Sequence, residues 1–271
     1  MRFRSLTFLA SGLTLTVATD HVAAQNTTRP TPDSLAGITA RGRALARYDY
    51  AAWHATDALM PLHPSTEEIR GYVARETSAG WTVAFGRLSD DSSAYLVAYE
   101  LRQVGPRPDS FAVVHHIPPQ PDADFLGPAR ALEIARRRFG PATRPYNVAV
   151  LPTGQGDWWV YAVPAQTVAG VFPLGGDVRY RVSAGGRRIL GERRLHKAII
   201  EFGANPDSLK RLEAGFQTAI LDNVPEDTDV FHVLSRAPRV PQYVATDAWV
   251  YRIELDGSIR LLGRRDEVLR R

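Results

Sequence analysis

The stretch PARALEIARRRFG (128–140), followed by PYNVAVLP (145–152) and DWWVYAVPA (157–165), decides the fold class. The first segment carries apolar residues at helical spacing over 129–139, and Gly140-Pro141 is a stop signal. The later segments, like the strands expected elsewhere in the chain, are short, rich in β-branched and aromatic residues, and bounded by turn residues. A helix followed by such strands predicts an α+β fold with antiparallel sheets.

The same order of a helix and a β-meander recurs along the chain. We predict a helical segment plus a first meander over 35–119, a second helix-plus-meander unit over 120–203, and a C-terminal helix and strand group over 204–271. The expected strands are Trp81–Phe85, Tyr95–Leu101, Phe111–His115, Tyr146–Leu151, Trp158–Val163, Val178–Ser183, Ile189–Phe202 (bent or broken), Val230–Leu234, Gln242–Ala245, Trp249–Leu255 and Ile259–Leu262. The expected C-terminal helix is Ser208–Leu221.

The N-terminal helical segment repeats apolar residues every seven positions, at Ile38, Leu45, Ala52 and Leu59. This spacing predicts one long amphipathic helix or a helix pair. Ser65 with a glutamate three residues later predicts a capping box for a further short helix. Part of the segment resembles half of a tetratricopeptide repeat, and docking of a partner's helix there would require the apolar stripe to be exposed.

Residues 1–24 have the pattern of a secretory signal peptide. Arg2 and Arg4 precede a short apolar stretch, and the small residues at 22 and 24 place the expected cleavage before Gln25. Residues 25–34 are polar and proline-containing, which predicts a flexible lead-in. After the signal peptide no apolar run is long enough to span a membrane. We therefore expect a periplasmic or secreted protein without a transmembrane segment in the mature chain.

The composition excludes several classes of protein. The 271 residues include no cysteine, which excludes disulfide frameworks and cysteine-ligated metals. The net charge of +4 is too small for the basic field of a nucleic-acid-binding protein. A hydrophobic content of 44% is enough to form a sizeable core.

Two resemblances add to this interpretation. An uncharacterised family of exported bacterial proteins with a Pro-Leu-Gly-Gly-led β-hairpin resembles this chain in PYNVAVLP (145–152), DWWVYAVPA (157–165), FPLGGDVRYRVSAGGRRIL (172–190), DVFHVLS (229–235) and QYVATDAWVYRI (242–253). That resemblance implies export and a hairpin, and it carries no known activity. Members often have a cysteine after the hairpin, which this chain lacks, so a redox role would not transfer. In outline, the helix and strands of 128–195 also resemble PepSY-type and cystatin-like modules.

The hairpin suggests a binding surface. With the register that a three-residue loop at 184–186 implies, Arg179, Arg181, Arg187 and Arg193 share one face and form a basic strip. Arginine binds carboxylates and phosphates through two parallel hydrogen bonds, so this strip predicts an anionic envelope component or an envelope protein as partner. The alternative is a solvated strand face.

Aromatic residues offer a second candidate surface. Trp159 and Tyr161 lie on one side of the strand over 158–163. If that side were open, the two rings would be able to stack on a ligand. The alternative, which we favour, is that they pack in the core of a covered sheet.

Catalytic signatures are missing from the sequence. GxSxG, HExxH, GxxxxGK[ST] and GxGxxG do not occur. We therefore predict a non-catalytic binding or interaction protein of the bacterial envelope, with no cofactor and no metal. The alternative is an envelope hydrolase with a site assembled from distant residues, in which His54, Asp57 and one of His115 and His116 hold a metal.

Overall fold

The structure is a computed structural model that describes residues 29–107, 109–203 and 212–270. The predicted signal peptide and residues 25–28 of the lead-in lie outside the described residues. Residues 32–34, predicted to belong to the flexible lead-in, instead form the start of the first helix. The described part is an α+β fold of four α-helices and several mainly antiparallel sheets. None of the helices within it is both long and apolar enough to cross a membrane.

The N-terminal segment forms one long helix, α1 (Pro32–Leu59), and not a helix pair. Thr31 caps it by accepting a hydrogen bond from the Ser34 amide at 3.2 Å, and Pro32 occupies the first turn, where an amide donor is not needed. The short helix predicted from Ser65 does not form. A turn at that position leads directly into the first strand.

The first sheet is a four-stranded meander in the order β1-β2-β3-β4, with one strand more than predicted. The second sheet has the order β5-β6-β8-β9, and α2 precedes it. These elements are β1 (Gly71–Thr77), β2 (Gly80–Leu88), β3 (Tyr95–Gln103), β4 (Phe111–Pro121), α2 (Ala123–Phe139), β5 (Tyr146–Pro152), β6 (Trp158–Pro164), β7 (Phe172–Gly175), β8 (Val178–Val182), β9 (Ile189–Arg194) and β10 (Ile199–Phe202). The strand expected over 189–202 is broken, and its second part, β10, pairs with β7 in a separate two-stranded sheet.

The C-terminal part differs most from the prediction. It contains β11 (Gly215–Thr218), α3 (Asp227–Ser235), β12 (Gln242–Ala245), β13 (Trp249–Ile253), β14 (Ile259–Arg264) and α4 (Arg265–Val268). The predicted helix 208–221 is wrong over 215–218, which is a strand with alternating burial that pairs in parallel with β12. Residues 208–211 of that helix lie outside the described residues.

The strand predicted at 230–234 is wrong as well, because these residues belong to α3. Glu226 and Asp229 form a capping box at the start of α3, in which the Asp229 carboxylate accepts from the Glu226 amide at 2.7 Å. The capping box gives hydrogen-bond partners to amide groups that would otherwise be buried without them. This stabilises a helix here although Val230, Phe231 and Val233 have high strand propensity.

One hydrophobic cluster contains buried residues of the first and second sheets, of α2 and of the C-terminal half of α1, together with Phe231 of α3. The two predicted units therefore share one core. A second cluster lies in the C-terminal part, and Leu35 and Ile38 of α1 belong to it. Because α1 contributes to both cores, its apolar stripe is buried, and the interpretation as a groove for a partner's helix is wrong.

α1 and α3 cross closely at Gly42. A Cβ atom at this position would lie 2.5 Å from the Asp227 carbonyl oxygen and 2.5 Å from the Val230 Cβ. Real Cβ atoms do not approach other atoms so closely, so only glycine allows this helix crossing. Gly37, one and a half turns earlier on the same helix, has only the flexible end of Arg41 nearby, at 3.4 Å.

We expect Gly42→Ala to lower the free energy of unfolding by about 1–3 kcal/mol, because the added methyl group forces α3 away from α1. Gly37→Ala is the matched control. It is expected to leave stability unchanged or raise it by up to about 1 kcal/mol, since alanine favours the helix. Urea denaturation of both variants measures the difference. Equal stability of the two variants would contradict the close crossing.

Candidate ligand-binding site

A cavity of about 560 Å³ lies between α1, the first sheet and the second sheet. It forms near the place where β1 contacts β5 and the two sheets meet. We call it the inter-sheet cleft. The residues that line it are Ala40, Arg41, Ala44, Arg47 and Tyr48 of α1, Val73, Ala74, Arg75, Glu76 and Trp81 of the first sheet, Pro128 of α2, and Val150, Leu151, Pro152, Trp158 and Trp159 of the second sheet.

Three tryptophans dominate the apolar wall of the inter-sheet cleft. Trp81 comes from the start of β2, and Trp158 and Trp159 from the start of β6. The Trp158 indole donates to the Ala184 carbonyl at 2.8 Å, which fixes that ring. Among the described residues neither the Trp81 nor the Trp159 indole N–H has a hydrogen-bond acceptor. Both N–H groups are therefore donors without a protein acceptor in the described part of the chain.

Charged residues line the α1 and β1 side of the cleft. Arg47 pairs with Glu76 at 3.1 Å and Arg75 pairs with Asp124 at 2.6 Å, and all four side chains are partly solvent-exposed. Arg41 differs from them, because it pairs at 2.8 Å with the fully buried carboxylate of Asp227. The cleft therefore has an apolar interior and a rim that carries three arginines and one glutamate.

Asp227 joins three parts of the fold. Its carboxylate accepts hydrogen bonds from Arg41 of α1, from Arg179 of β8, and from the Tyr161 hydroxyl of β6 at 2.8 Å. Burial of the Tyr161 ring, together with the nearby carboxylate, raises the pKa of its hydroxyl, so it remains a donor. Arg179 also lies over the Trp159 ring, 4.7 Å from its centroid. The buried carboxylate thus organises one wall of the cleft.

His196 lies next to this group, between two buried carboxylates. Its ring nitrogens are 2.7 Å from Asp177 Oδ1 and 3.0 Å from Asp229 Oδ1. Burial alone would lower the pKa of His196, but the charge of Asp229 and the hydrogen bonds to both carboxylates outweigh it and raise the pKa to about 11. The ring is an imidazolium at neutral pH and donates to both sides. It cannot accept a proton as a general base.

The predicted basic strip is only partly present. Arg179 and Arg193 face each other across the hairpin and Arg181 lies on the same face, but the register differs from the expected one by two, and Arg187 lies in the turn. Three of the four arginines of the strip already have carboxylate partners. Arg179 pairs with Asp227, Arg181 with Asp157, and Arg193 with Asp222 and Glu226. Of the four, only Arg187 is exposed and lacks an ion pair with any described residue.

The predicted aromatic surface fails at Tyr161. Its side chain is completely buried, because its ring packs in the main core while its hydroxyl reaches Asp227. Trp159 is half-buried and lines the inter-sheet cleft. The favoured alternative, core packing, therefore holds for Tyr161, whereas Trp159 belongs to the cleft wall.

The histidines of the hydrolase alternative have separate neighbours. His54 lies against Tyr50 and Trp53, at ring distances of 4.2 and 4.6 Å. His115 stacks on Tyr99 at 4.1 Å, His116 lies 3.6 Å from Glu100, and Asp57 is exposed. In the described ranges no group of three or more histidines and carboxylates is arranged to hold a metal ion.

Comparison with known proteins identifies no relative: no family model, curated protein or solved structure matches this chain. The resemblance to the exported family with the Pro-Leu-Gly-Gly-led hairpin stays a prediction. The function must therefore be argued from the inter-sheet cleft and the residues around it.

We expect Asp227→Asn to destabilise the fold by roughly 3–5 kcal/mol, because it leaves the nearly buried Arg179 without a counter-charge. Glu133→Gln is the control. It removes an ion pair with Arg137 on the exposed side of α2, where about 0.5 kcal/mol or less is expected. Chemical denaturation compares the two variants. A loss at Asp227 no greater than the loss at Glu133 would contradict its role in joining the elements.

Proposed function

We propose that this protein is an exported, non-catalytic binding protein of the bacterial envelope that takes up an apolar small molecule in the inter-sheet cleft. The observation that carries this proposal is the cavity of about 560 Å³ with three tryptophans in its wall. Ligand sites in proteins are concave, mostly apolar, and on the order of 300–1,000 Å³ in volume. The cleft also lies where two units of the fold meet, which is a common position for such sites.

The wall of the cleft favours an apolar guest for a physical reason. Protein interiors are close-packed, and an apolar cavity of this size leaves indole and aliphatic surface either in contact with water or without packing partners. Val150 and Leu151 beside Trp158 and Trp159 provide such surface. A guest that fills the space removes this surface from water and gains dispersion contacts with the rings.

The proposal does not include the alternative function of an envelope hydrolase. It depends on His54 and one of His115 and His116 acting together, and these rings contact different aromatic neighbours. His196 has the most polar surroundings of the described histidines, but two carboxylates hold it as a cation. Its arrangement supports a structural role.

Export rests on the N-terminal pattern alone. We expect the mature chain to begin at Gln25, after cleavage behind Ala24. The intact mass of the protein recovered from the envelope fraction of an expressing bacterium tests this. A chain that retains Met1 and remains in the cytoplasm would contradict export and would leave the cleft argument unchanged.

Titration with the uncharged apolar fluorophore N-phenyl-1-naphthylamine tests binding in the cleft. We expect saturable binding with energy transfer from tryptophan. Ala44→Leu adds volume at the α1 wall and is expected to weaken binding about tenfold. Ala112→Leu makes the same change at an exposed position of β4 outside the cleft lining and should bind like the parent.

Absence of saturable fluorophore binding by the folded parent protein would contradict the proposal. Equal affinity of the parent protein and Ala44→Leu would also count against it, because the fluorophore would then be bound elsewhere. Circular dichroism of both variants verifies that the fold is retained.

A further inference from the structure

We infer that the ligand of the inter-sheet cleft is an amphipathic anion, with its apolar body among the tryptophans and a carboxylate or phosphate at Arg47 and Arg75. This inference rests on the proposed function and adds the chemical class of the ligand. The charges of the cleft lining are the starting point. Arg41, Arg47 and Arg75 line it together with one acid, Glu76, while Asp227 and Asp124, the partners of Arg41 and Arg75, do not belong to the lining.

The three arginines differ in how firmly they are held. Arg41 binds Asp227, whose side chain has no solvent exposure, and breaking that pair would leave a buried charge uncompensated. Arg47 and Arg75 have 53% and 44% of their side chains exposed, and their partners Glu76 and Asp124 have 46% and 63% exposed. Ion pairs this open to solvent contribute little, so an incoming anion can replace the carboxylate.

Arg47 and Arg75 also stand next to an apolar wall. A ligand whose body covers the tryptophans removes water from the cleft, and charge attraction at its edge is then less screened than on an open surface. Arginine suits this position, because its guanidinium binds a carboxylate or a phosphate through two parallel hydrogen bonds. A single carboxylate or phosphate group at the edge of an apolar body matches this distribution.

One further feature of the wall agrees with a negatively charged ligand. The indole N–H groups of Trp81 and Trp159 are donors without an acceptor among the described residues. Arg179 lies 4.7 Å from the Trp159 ring centroid, but Asp227 balances its charge, so it adds little to the potential in the cleft. A cationic ligand would meet three arginines at the rim.

The same anionic chemistry occurs in a free fatty acid and in a lipid within a membrane. The cleft lies between two sheets and α1, so the inference commits to a single free molecule and not to a lipid that remains in a membrane.

Calorimetric titration below the micellar concentration compares dodecanoate and dodecyl phosphate with the uncharged dodecanol and with dodecyltrimethylammonium. We expect both anions to bind at least about tenfold more tightly than dodecanol, and the cation to bind most weakly.

The variant Arg47→Gln/Arg75→Gln is expected to weaken dodecanoate binding at least about tenfold and to leave dodecanol binding unchanged. The matched control is Arg102→Gln/Arg107→Gln, which removes two exposed, ion-paired arginines that do not line the cleft. It should bind dodecanoate like the parent protein.

The second arm of the experiment measures whether the protein sediments with phosphatidylglycerol vesicles, with and without dodecanoate.

The outcomes separate this inference from the proposed function. Equal binding of dodecanol and dodecanoate would overturn the anionic class while the apolar cleft stands, and the same holds if the Arg47→Gln/Arg75→Gln variant keeps the preference for anions. If none of the four amphiphiles binds, the proposed function itself fails. Sedimentation with vesicles without any binding of free dodecanoate would indicate a membrane surface site and would also overturn the inference.

Discussion

The buried carboxylate of Asp227 is the interaction on which the arrangement of this protein depends. A carboxylate without solvent exposure is tolerated only with compensating charge and hydrogen bonds, and here Arg41, Arg179 and Tyr161 supply them. These partners lie on α1, β8 and β6, so a single side chain from the start of α3 sets how the C-terminal part, the long helix and the second sheet meet. Gly42, directly after Arg41, lets α3 approach closely enough for this contact.

The inter-sheet cleft follows from the same arrangement. Arg41 and Trp159 both line the cleft. Asp227 fixes Arg41 through a direct ion pair, and it fixes Arg179, which in turn packs over the Trp159 ring. On the opposite side the Tyr48 hydroxyl accepts from the Ala74 amide at 3.2 Å and fastens α1 to the first sheet. With α1 held to both sheets, the space between them is preformed, and a ligand does not have to supply the free energy of opening it.

The sequence predicted the class of fold and most of the strands, because helical and alternating spacing are local patterns. It failed at one local motif that outweighs strand propensity and at contacts between residues far apart in the chain. Val230–Leu234 has the composition of a strand, yet the capping box of Glu226 and Asp229 begins a helix there, and that motif was present in the sequence as a usable signal. The pairing of Arg41 with Asp227 spans 186 residues and leaves no such signal. The arginines of the hairpin were correctly noticed, but their carboxylate partners come from turns and from the α3 region, so spacing alone suggested an open strip.

The central claim is that the inter-sheet cleft is a ligand site, and a crystal structure of the protein with a terminally brominated dodecanoate tests it most directly. The account predicts an anomalous bromine signal within the cleft, among Trp81, Trp158 and Trp159, and the carboxylate beside Arg47 or Arg75. A bromine signal confined to other parts of the molecule, with the cleft filled by rearranged side chains, would contradict it.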